Sequence, residues 1–243
     1  KISKNVGLIK LTSFTQTSYS EFKKALIVLQ EEDVDKLIID LRSNGGGLLN
    51  EAVKIANLFL DKGQKVVSTK SRIKEMNRTY ITQELPIAKD MSVVVLVDEM
   101  SASASEIVAG SFQDLDRGVV VGNTSFGKGL VQQTKPVSFG GQIKLTVAKY
   151  YTPSGRCIQK VDYSEGKKSK TIADSLVREF KTQNGRTVTD SRGVEPDIMV
   201  QSSYYNSLTE KLLLDDYISD FTNIEIKNIK DSIDPSTFFL SEE

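Results

Sequence analysis

The sequence predicts an α/β fold with a largely parallel sheet and an added β-rich lobe. Across the first half of the chain, short β-branched or apolar runs alternate with segments whose apolar residues recur at helical spacing. This alternation is typical of layered α/β proteins. From Gly129 onward, segments of alternating polarity replace it. We therefore expect a core at residues 1–200, with its β-rich part at about 129–200, and a helical extension at 201–243 that packs on the core.

The individual elements follow from the same patterns. Strands are predicted at residues 6–14, 36–40, 66–71, 79–82, 92–97 and 118–121, and helices at 18–32, 48–60 and 103–115. Two alternating segments, 130–137 and 142–151, flank Phe139-Gly140-Gly141 and predict a hairpin. Residues 161–170 are charged and predict a surface insertion, and 172–180 predict a short helix. Beyond residue 200, apolar residues are spaced for a docking helix, namely Leu208, Leu212, Leu213 and Tyr217.

Composition excludes several kinds of catalytic site. The 243 residues contain no histidine, so a Ser-His-Asp triad, a Cys-His dyad and an imidazole metal site are excluded. Cys157 is the single cysteine, which excludes an intrachain disulfide and a thiolate zinc cluster. Lys and Arg together number 32, as do Asp and Glu, and this balance predicts no nucleic-acid partner. We expect neither a metal nor a cofactor.

Most candidate catalytic residues lie between residues 98 and 133. Ser103 follows a predicted strand and opens a predicted helix, where free helix N–H groups favour a developing oxyanion. Lys128 stands between Gly127 and Gly129, and a buried lysine that loses its charge can accept a serine proton. Ordinary structural interpretations remain open: Ser103 and Glu106 form a Ser-x-x-Glu capping box, and Lys128 suits a solvated loop.

Two other motifs in the sequence lack features that their usual functions require. Residues 122–129 nearly fit a phosphate-binding loop, but Gly129 replaces the hydroxyl residue after the lysine and an alternating segment follows instead of a helix. Ser-x-x-Lys also occurs, beginning at Ser20 and at Ser71, but the companion motifs of penicillin-binding enzymes are missing from the sequence.

The region around Ser103 and Lys128 resembles the active-site signature of the carboxyl-terminal processing peptidases, also called tail-specific proteases. The matching blocks are Ser101-Ala-Ser-Ala-Ser-Glu-Ile107 and Thr124-Ser-Phe-Gly-Lys-Gly-Leu-Val-Gln132. Further similar blocks are Asp40-Leu-Arg-Ser-Asn-Gly-Gly-Gly-Leu-Leu49, Leu145 to Gln159, and Gly193-Val-Glu-Pro-Asp197. The segment between Gln159 and Gly193 is longer than in many members.

The resemblance implies residue roles. The nucleophile would be Ser103, the general base Lys128, and the residue that orients the lysine Gln132. The backbone amide of Gly46, with Gly47 as second choice, and that of Ala104 would form the oxyanion hole. The fold implied is a layered core of the crotonase and Clp-protease type with an additional β-rich lobe.

The resemblance also implies a biological setting. We expect a serine endopeptidase that cleaves proteins at or near their C-terminal tails, in the extracytoplasmic bacterial cell envelope, with homo-oligomers possible. A PDZ domain, usual in this family, has no counterpart in the sequence and would precede Lys1. The alternatives are a non-catalytic peptide- or ligand-binding scaffold of the same fold and an acyl-CoA enzyme of crotonase type.

Overall fold

The computed structural model of the chain describes residues 1–163, 170–200 and 207–228. Internal contacts divide the chain into two units, Lys1–Gln201 and Ser202–Glu243. No helix among the described residues is long and apolar enough to cross a membrane.

The described residues contain thirteen strands and five α-helices. The strands are β1 (Val6–Lys10), β2 (Lys36–Asp40), β3 (Lys65–Lys70), β4 (Arg78–Ile81), β5 (Ser92–Val97), β6 (Val119–Gly122), β7 (Leu130–Pro136), β8 (Gln142–Tyr151), β9 (Val161–Asp162), β10 (Lys170–Thr171), β11 (Glu179–Lys181), β12 (Thr187–Thr189) and β13 (Ile198–Met199). The helices are α1 (Ser18–Glu31), α2 (Leu49–Asn57), α3 (Ala104–Asp114), α4 (Ser207–Leu214) and α5 (Tyr217–Asn228).

A five-stranded parallel sheet forms the centre of the first unit, in the order β1-β2-β5-β6-β13. Val93 and Val95 of β5 and Ile39 of β2 are buried, as expected for strands covered on both faces. Helix α3 is buried along its whole length. Phe59 contacts Phe22 and Phe112 edge to face, with ring centroids 6.1 and 5.5 Å apart, and these contacts join α1, the segment just after α2, and α3 in one core.

A four-stranded antiparallel sheet with the order β4-β3-β8-β7 forms the second layer. It combines the predicted hairpin, β7 and β8, with two strands from the first half of the chain. β13 joins the parallel sheet instead. The β-rich lobe is therefore assembled from segments on both sides of α3, while the last strand of the first unit belongs to the core.

Most predicted elements agree with the structure. β2 and β5 have the predicted bounds, and the predicted α/β class with an additional antiparallel lobe is confirmed. The strand predicted at 6–14 ends at Lys10, and Phe14 forms a separate parallel bridge to Gly47. The helix predicted at 48–60 is shorter in the structure, where α2 ends at Asn57. The helix predicted at 103–115 corresponds to α3.

The short helix predicted at residues 172–180 is wrong. Only Asp174–Leu176 form a single 3-10 turn, and β11 pairs with β12 in register, Phe180 opposite Val188. An isolated helix of this length is marginal in water, so the strand pairing prevails. Of the predicted surface insertion, residues 164–169 lie outside the described residues, and β9 pairs with β10 on either side of them.

In the second unit, α4 and α5 replace the single predicted docking helix. Asp216 between them has a φ of +59°, a left-handed conformation that ends a helix. Leu208, Leu213 and Tyr217 are exposed within this unit. The packing of this extension on the core stays a prediction, and the tail beyond residue 228 lies outside the described residues.

Candidate active site

Three neighbouring strands of the parallel sheet end at one cleft. β2 leads into the glycine turn at residues 45–47, β5 leads to Ser103, and β6 leads into the loop that carries Lys128. The carboxyl edge of a parallel sheet is the usual place for a site in such folds. The cleft has a volume of about 560 Å³, and residues of β7 and β8 contribute to its lining. The sheet order thus brings together segments that are distant in sequence.

Ser103, Lys128 and Gln132 all line this cleft. Ser103 and Lys128 are half-buried, whereas Gln132 is exposed near the start of β7. The structure therefore brings the three predicted residues to one cleft.

Ser103 occupies an unusual backbone conformation, with φ +56° and ψ −109°. A non-glycine residue in this region is strained by about 1–3 kcal/mol and is often found at functional sites. The neighbouring serines are engaged elsewhere: the buried Ser101 hydroxyl donates to the carbonyl of Leu41 (2.8 Å), and the buried Ser105 hydroxyl donates to that of Asn44 (2.9 Å). Of the three serines in the run, only Ser103 lines the cleft.

The carboxylate of Glu106 joins the segment of Ser103 to the segment of Lys128. It accepts hydrogen bonds from the N–H groups of Ser103 (2.8 Å), Gly127 (2.7 Å) and Lys128 (2.9 Å) and from the hydroxyl of Ser125 (2.6 Å). Glu106 is fully buried. Burial raises the pKa of its carboxyl, while these hydrogen bonds oppose that shift. The predicted capping box is present, and the same side chain holds the lysine loop.

Tyr150 makes the complementary contacts with the carbonyl groups of the same two residues. Its hydroxyl lies 2.5 Å from the carbonyl oxygen of Lys128 and 3.2 Å from that of Ser103. The ring is fully buried. Burial, followed by the nearby charge of Glu106, raises the pKa of the phenol well above its ordinary value, so the hydroxyl remains a donor.

The sequence did not predict a role for Tyr150, and it predicted only one of the contacts that Glu106 makes. The Ser-x-x-Glu spacing revealed the cap but not the contacts with residues 125–128, which depend on the neighbouring positions of β5 and β6. Tyr150 lies 22 residues from Lys128 and 47 from Ser103 in sequence, and no local pattern connects them. Its place at the end of a strand that forms the hairpin was the one available signal.

The glycine turn lies directly against the start of α3. A β-carbon at Gly46 would lie 2.8 Å from Cβ of Ser103 and 2.9 Å from the backbone nitrogen of Ala104, so only glycine allows this approach. The Gly46 N–H donates to Oδ1 of Asn44 at 2.9 Å. By contrast, no acceptor for the N–H of Gly47 or of Ala104 is found among the described residues. The hydrogen bond to Asn44 thus counts against the Gly46 amide, our first choice for the oxyanion hole, and favours that of Gly47.

No group of three or more Asp, Glu or Cys side chains within the described ranges could hold a metal ion. The residues that line the cleft include two lysines, Lys128 and Lys144, and no carboxylate.

Comparisons with known proteins agree on one family. The sequence profile of Peptidase family S41 matches residues 5–166. A probable CtpA-like serine protease of Staphylococcus epidermidis is 45% identical over 155 residues, which cover 63% of this chain and 31% of that protein. A protein of the same description from Staphylococcus aureus is 35% identical over 204 residues, covering 84% and 35% respectively. The chain thus spans about a third of the length of these curated relatives.

Among solved structures, the photosystem II D1 C-terminal processing protease superposes with a TM-score of 0.62 at 29% sequence identity. The match covers 81% of this chain and 42% of that protein. The profile match over two thirds of the chain, the curated relatives and this structural likeness lead to one conclusion: the chain belongs to peptidase family S41.

Proposed function

We propose that this chain is the catalytic region of a serine endopeptidase in which Ser103 is the nucleophile and Lys128 the general base. The observation that carries the proposal is the convergence of the two residues on one cleft, with Ser103 in a strained turn at the start of α3. The hydroxyls of the two neighbouring serines, Ser101 and Ser105, donate hydrogen bonds to backbone carbonyls. The sequence contains no histidine that could serve as base.

The reaction follows from these roles. The ε-amine of Lys128 takes the proton of the Ser103 hydroxyl, and the oxygen attacks the peptide carbonyl carbon to form a tetrahedral intermediate. The C–N bond then breaks, and Lys128 transfers the proton to the leaving amine. A water molecule, deprotonated by Lys128, hydrolyses the ester left on Ser103. Gln132 would orient the lysine amine by a hydrogen bond.

The oxyanion would be bound by the backbone amides of Ala104 and Gly47. Both lack a protein acceptor among the described residues, whereas the Gly46 amide is engaged by Asn44. Two preorganised donors of this kind are worth about 3 kcal/mol each in transition-state stabilisation. Gly46 contributes through the close approach of its Cα to Ser103.

The family supports a more specific setting, which we also propose. The curated relatives are described as CtpA-like serine proteases, and the structural relative is a C-terminal processing protease. We propose that the substrates are proteins cleaved near an exposed C-terminal tail, in the cell envelope outside the cytoplasm. An extended tail would add to a sheet edge next to the cleft by β-augmentation.

The test is covalent labelling combined with peptide cleavage. A fluorophosphonate should modify Ser103 by displacement of fluoride, as peptide mapping would reveal. Ser103→Ala and Lys128→Met should lower kcat by at least about 1,000-fold, with little change in the melting temperature. Ser20→Ala and Lys135→Met, which alter the same residue types outside the cleft lining, are the matched controls.

Full proteolysis by purified Ser103→Ala would refute the assignment. Absence of labelling and cleavage in the wild-type chain would instead favour the two alternatives. A scaffold would bind peptide without turnover, and an acyl-CoA enzyme of crotonase type would act on thioesters without labelling of Ser103.

A further inference from the structure

Two buried side chains hold the backbones of Ser103 and Lys128 in a complementary way. Glu106 accepts hydrogen bonds from the N–H groups of Ser103 and Lys128, and the Tyr150 hydroxyl contacts the carbonyl oxygens of the same two residues. We call Glu106 and Tyr150 the backbone clamp. Each of the two residues is therefore bound at both its backbone N–H and its carbonyl group, and one partner is shared at each end.

We infer that the backbone clamp is a positioning device that sets the distance between the serine nucleophile and the lysine base. This inference rests on the proposed function, because it concerns the reaction between those two side chains. Neither clamp residue is assigned a chemical step. Both act through the backbone of the residues that react.

The chemistry of each contact fits a rigid link. All four hydrogen-bond partners of Glu106 are donors, so the two oxygens of an ionised carboxylate satisfy them. Oε1 accepts from Ser125 and Gly127, and Oε2 accepts from Ser103 and Lys128. Tyr150 has one hydroxyl proton for two carbonyl groups, and burial keeps that proton in place. Charge-assisted hydrogen bonds away from water are the stronger kind.

The topology explains why a link is needed. Ser103 lies after β5 and immediately before α3, whereas Lys128 lies in the loop between β6 and β7. Without cross-links, the loop would move independently of the helix. A misplacement of about 1 Å in a reacting group can lower the rate about 100-fold. Direct hydrogen bonds are therefore needed to hold the two segments at a constant distance.

Tyr150→Phe tests the clamp by removal of one oxygen atom. We expect kcat for a peptide and the rate of fluorophosphonate acylation of Ser103 to fall by about 10- to 100-fold, while KM changes less than about threefold. Tyr151→Phe, at the adjacent and half-exposed position on the same strand, is the matched control and should retain both rates.

Glu106→Gln tests the other half. The amide group keeps the size of the side chain but directs N–H donors at N–H donors, so a loss of at least about 100-fold in both rates is expected. Glu21→Gln is its control, because Glu21 also lies in the first turn of a helix but is exposed.

A stability control separates positioning from loss of fold. Phe22→Leu loosens the core at α1, outside the cleft lining, and all variants are assayed well below their melting temperatures. Positioning predicts that Tyr150→Phe loses far more acylation than Phe22→Leu at equal or smaller loss of melting temperature. The inference would be overturned if Tyr150→Phe and Phe22→Leu lost acylation equally, or if Tyr150→Phe were acylated at the wild-type rate. In either case, acylation of the wild-type chain would still support the proposed function. An unreactive wild-type chain would defeat both.

Discussion

At the scale of single residues, the site depends on a close contact between Gly46 and Ser103. Gly46 has a φ of +98°, and a β-carbon there would lie 2.6 Å from the carbonyl oxygen of Ala102 as well as 2.8 Å from Cβ of Ser103. Real β-carbons do not approach other atoms so closely. The turn and the helix start must separate if any side chain is introduced, and the oxyanion site would separate with them.

Gly46→Ala should therefore slow acylation of Ser103 by at least about 100-fold and lower the melting temperature by several degrees. The measurement is the rate of fluorophosphonate labelling, followed together with thermal unfolding.

Gly45→Ala is the natural control for this variant. A β-carbon at Gly45 meets no atom within 4 Å, and its φ does not lie in the left-handed range. This variant should label at the wild-type rate. Equal loss in both variants would show that the turn tolerates no substitution at all, and the close approach of Gly46 to Ser103 would lose its special importance.

At the scale of secondary structure, the sequence predicts strands more accurately than the contacts between them. β2 and β5 are continuous apolar runs bounded by turns, and their bounds are correct because burial on both faces leaves no polar position in their middle. The alternating pattern of β7 and β8 likewise predicts their hairpin. The pairing of β3 with β8 has no local signal, since these strands are about 80 residues apart.

The candidate site shows the same difference between local and distant information. Family spacing in the sequence predicts Ser103, Lys128 and Gln132 as site residues, and all three line the cleft. The role of Tyr150 depends on the twofold contact of one hydroxyl, which only the assembled sheets create. The preference for Gly47 over Gly46 depends on one hydrogen bond, which the Gly46 N–H donates to Oδ1 of Asn44. Such details are set by tertiary geometry, which a spacing pattern cannot express.

The hairpin of β7 and β8 also directs a positive charge at the cleft. Its register pairs Gln132 with Thr146 and Thr134 with Lys144, so Lys144 shares a face with Gln132, and both line the cleft. Lys135 pairs with Ile143 on the opposite face.

Lys144→Glu should lower kcat/KM for a peptide with Glu near the scissile bond by about five- to tenfold relative to its Gln counterpart at low salt. The effect should shrink near 1 M salt. Lys135→Glu changes the same charge on the far face and should leave the Glu-to-Gln ratio unchanged. An unchanged ratio in Lys144→Glu would contradict the role of this face.

At the scale of the whole first unit, the core and the β-rich lobe are joined by a buried arginine. Arg156, in the loop after β8, contacts Asp114 at the end of α3 at 2.9 Å and donates to Oε1 of Gln113 at 2.6 Å. It also donates to the carbonyl of Thr189 in β12 at 3.1 Å. Both side chains of the ion pair are almost completely buried. α3 begins one residue after Ser103, and β8 ends one residue after Tyr150. The buried contacts of Arg156 therefore connect the end of α3 with the segment that follows β8.

Arg156→Ala should destabilise the fold by about 3–5 kcal/mol, because it leaves the Asp114 carboxylate buried without its counter-charge. Urea unfolding followed by circular dichroism measures this loss as a shift of the midpoint at constant slope. Replacement of both partners, as in Asp114→Leu with Arg156→Met, should recover part of the loss, since no unpaired charge then remains. Lys89→Ala breaks an ion pair with Asp61 whose two side chains are exposed, and it should not shift the midpoint measurably. If Arg156→Ala unfolds at the same urea concentration as Lys89→Ala, the buried pair does not join the two layers, and apolar packing alone holds them together.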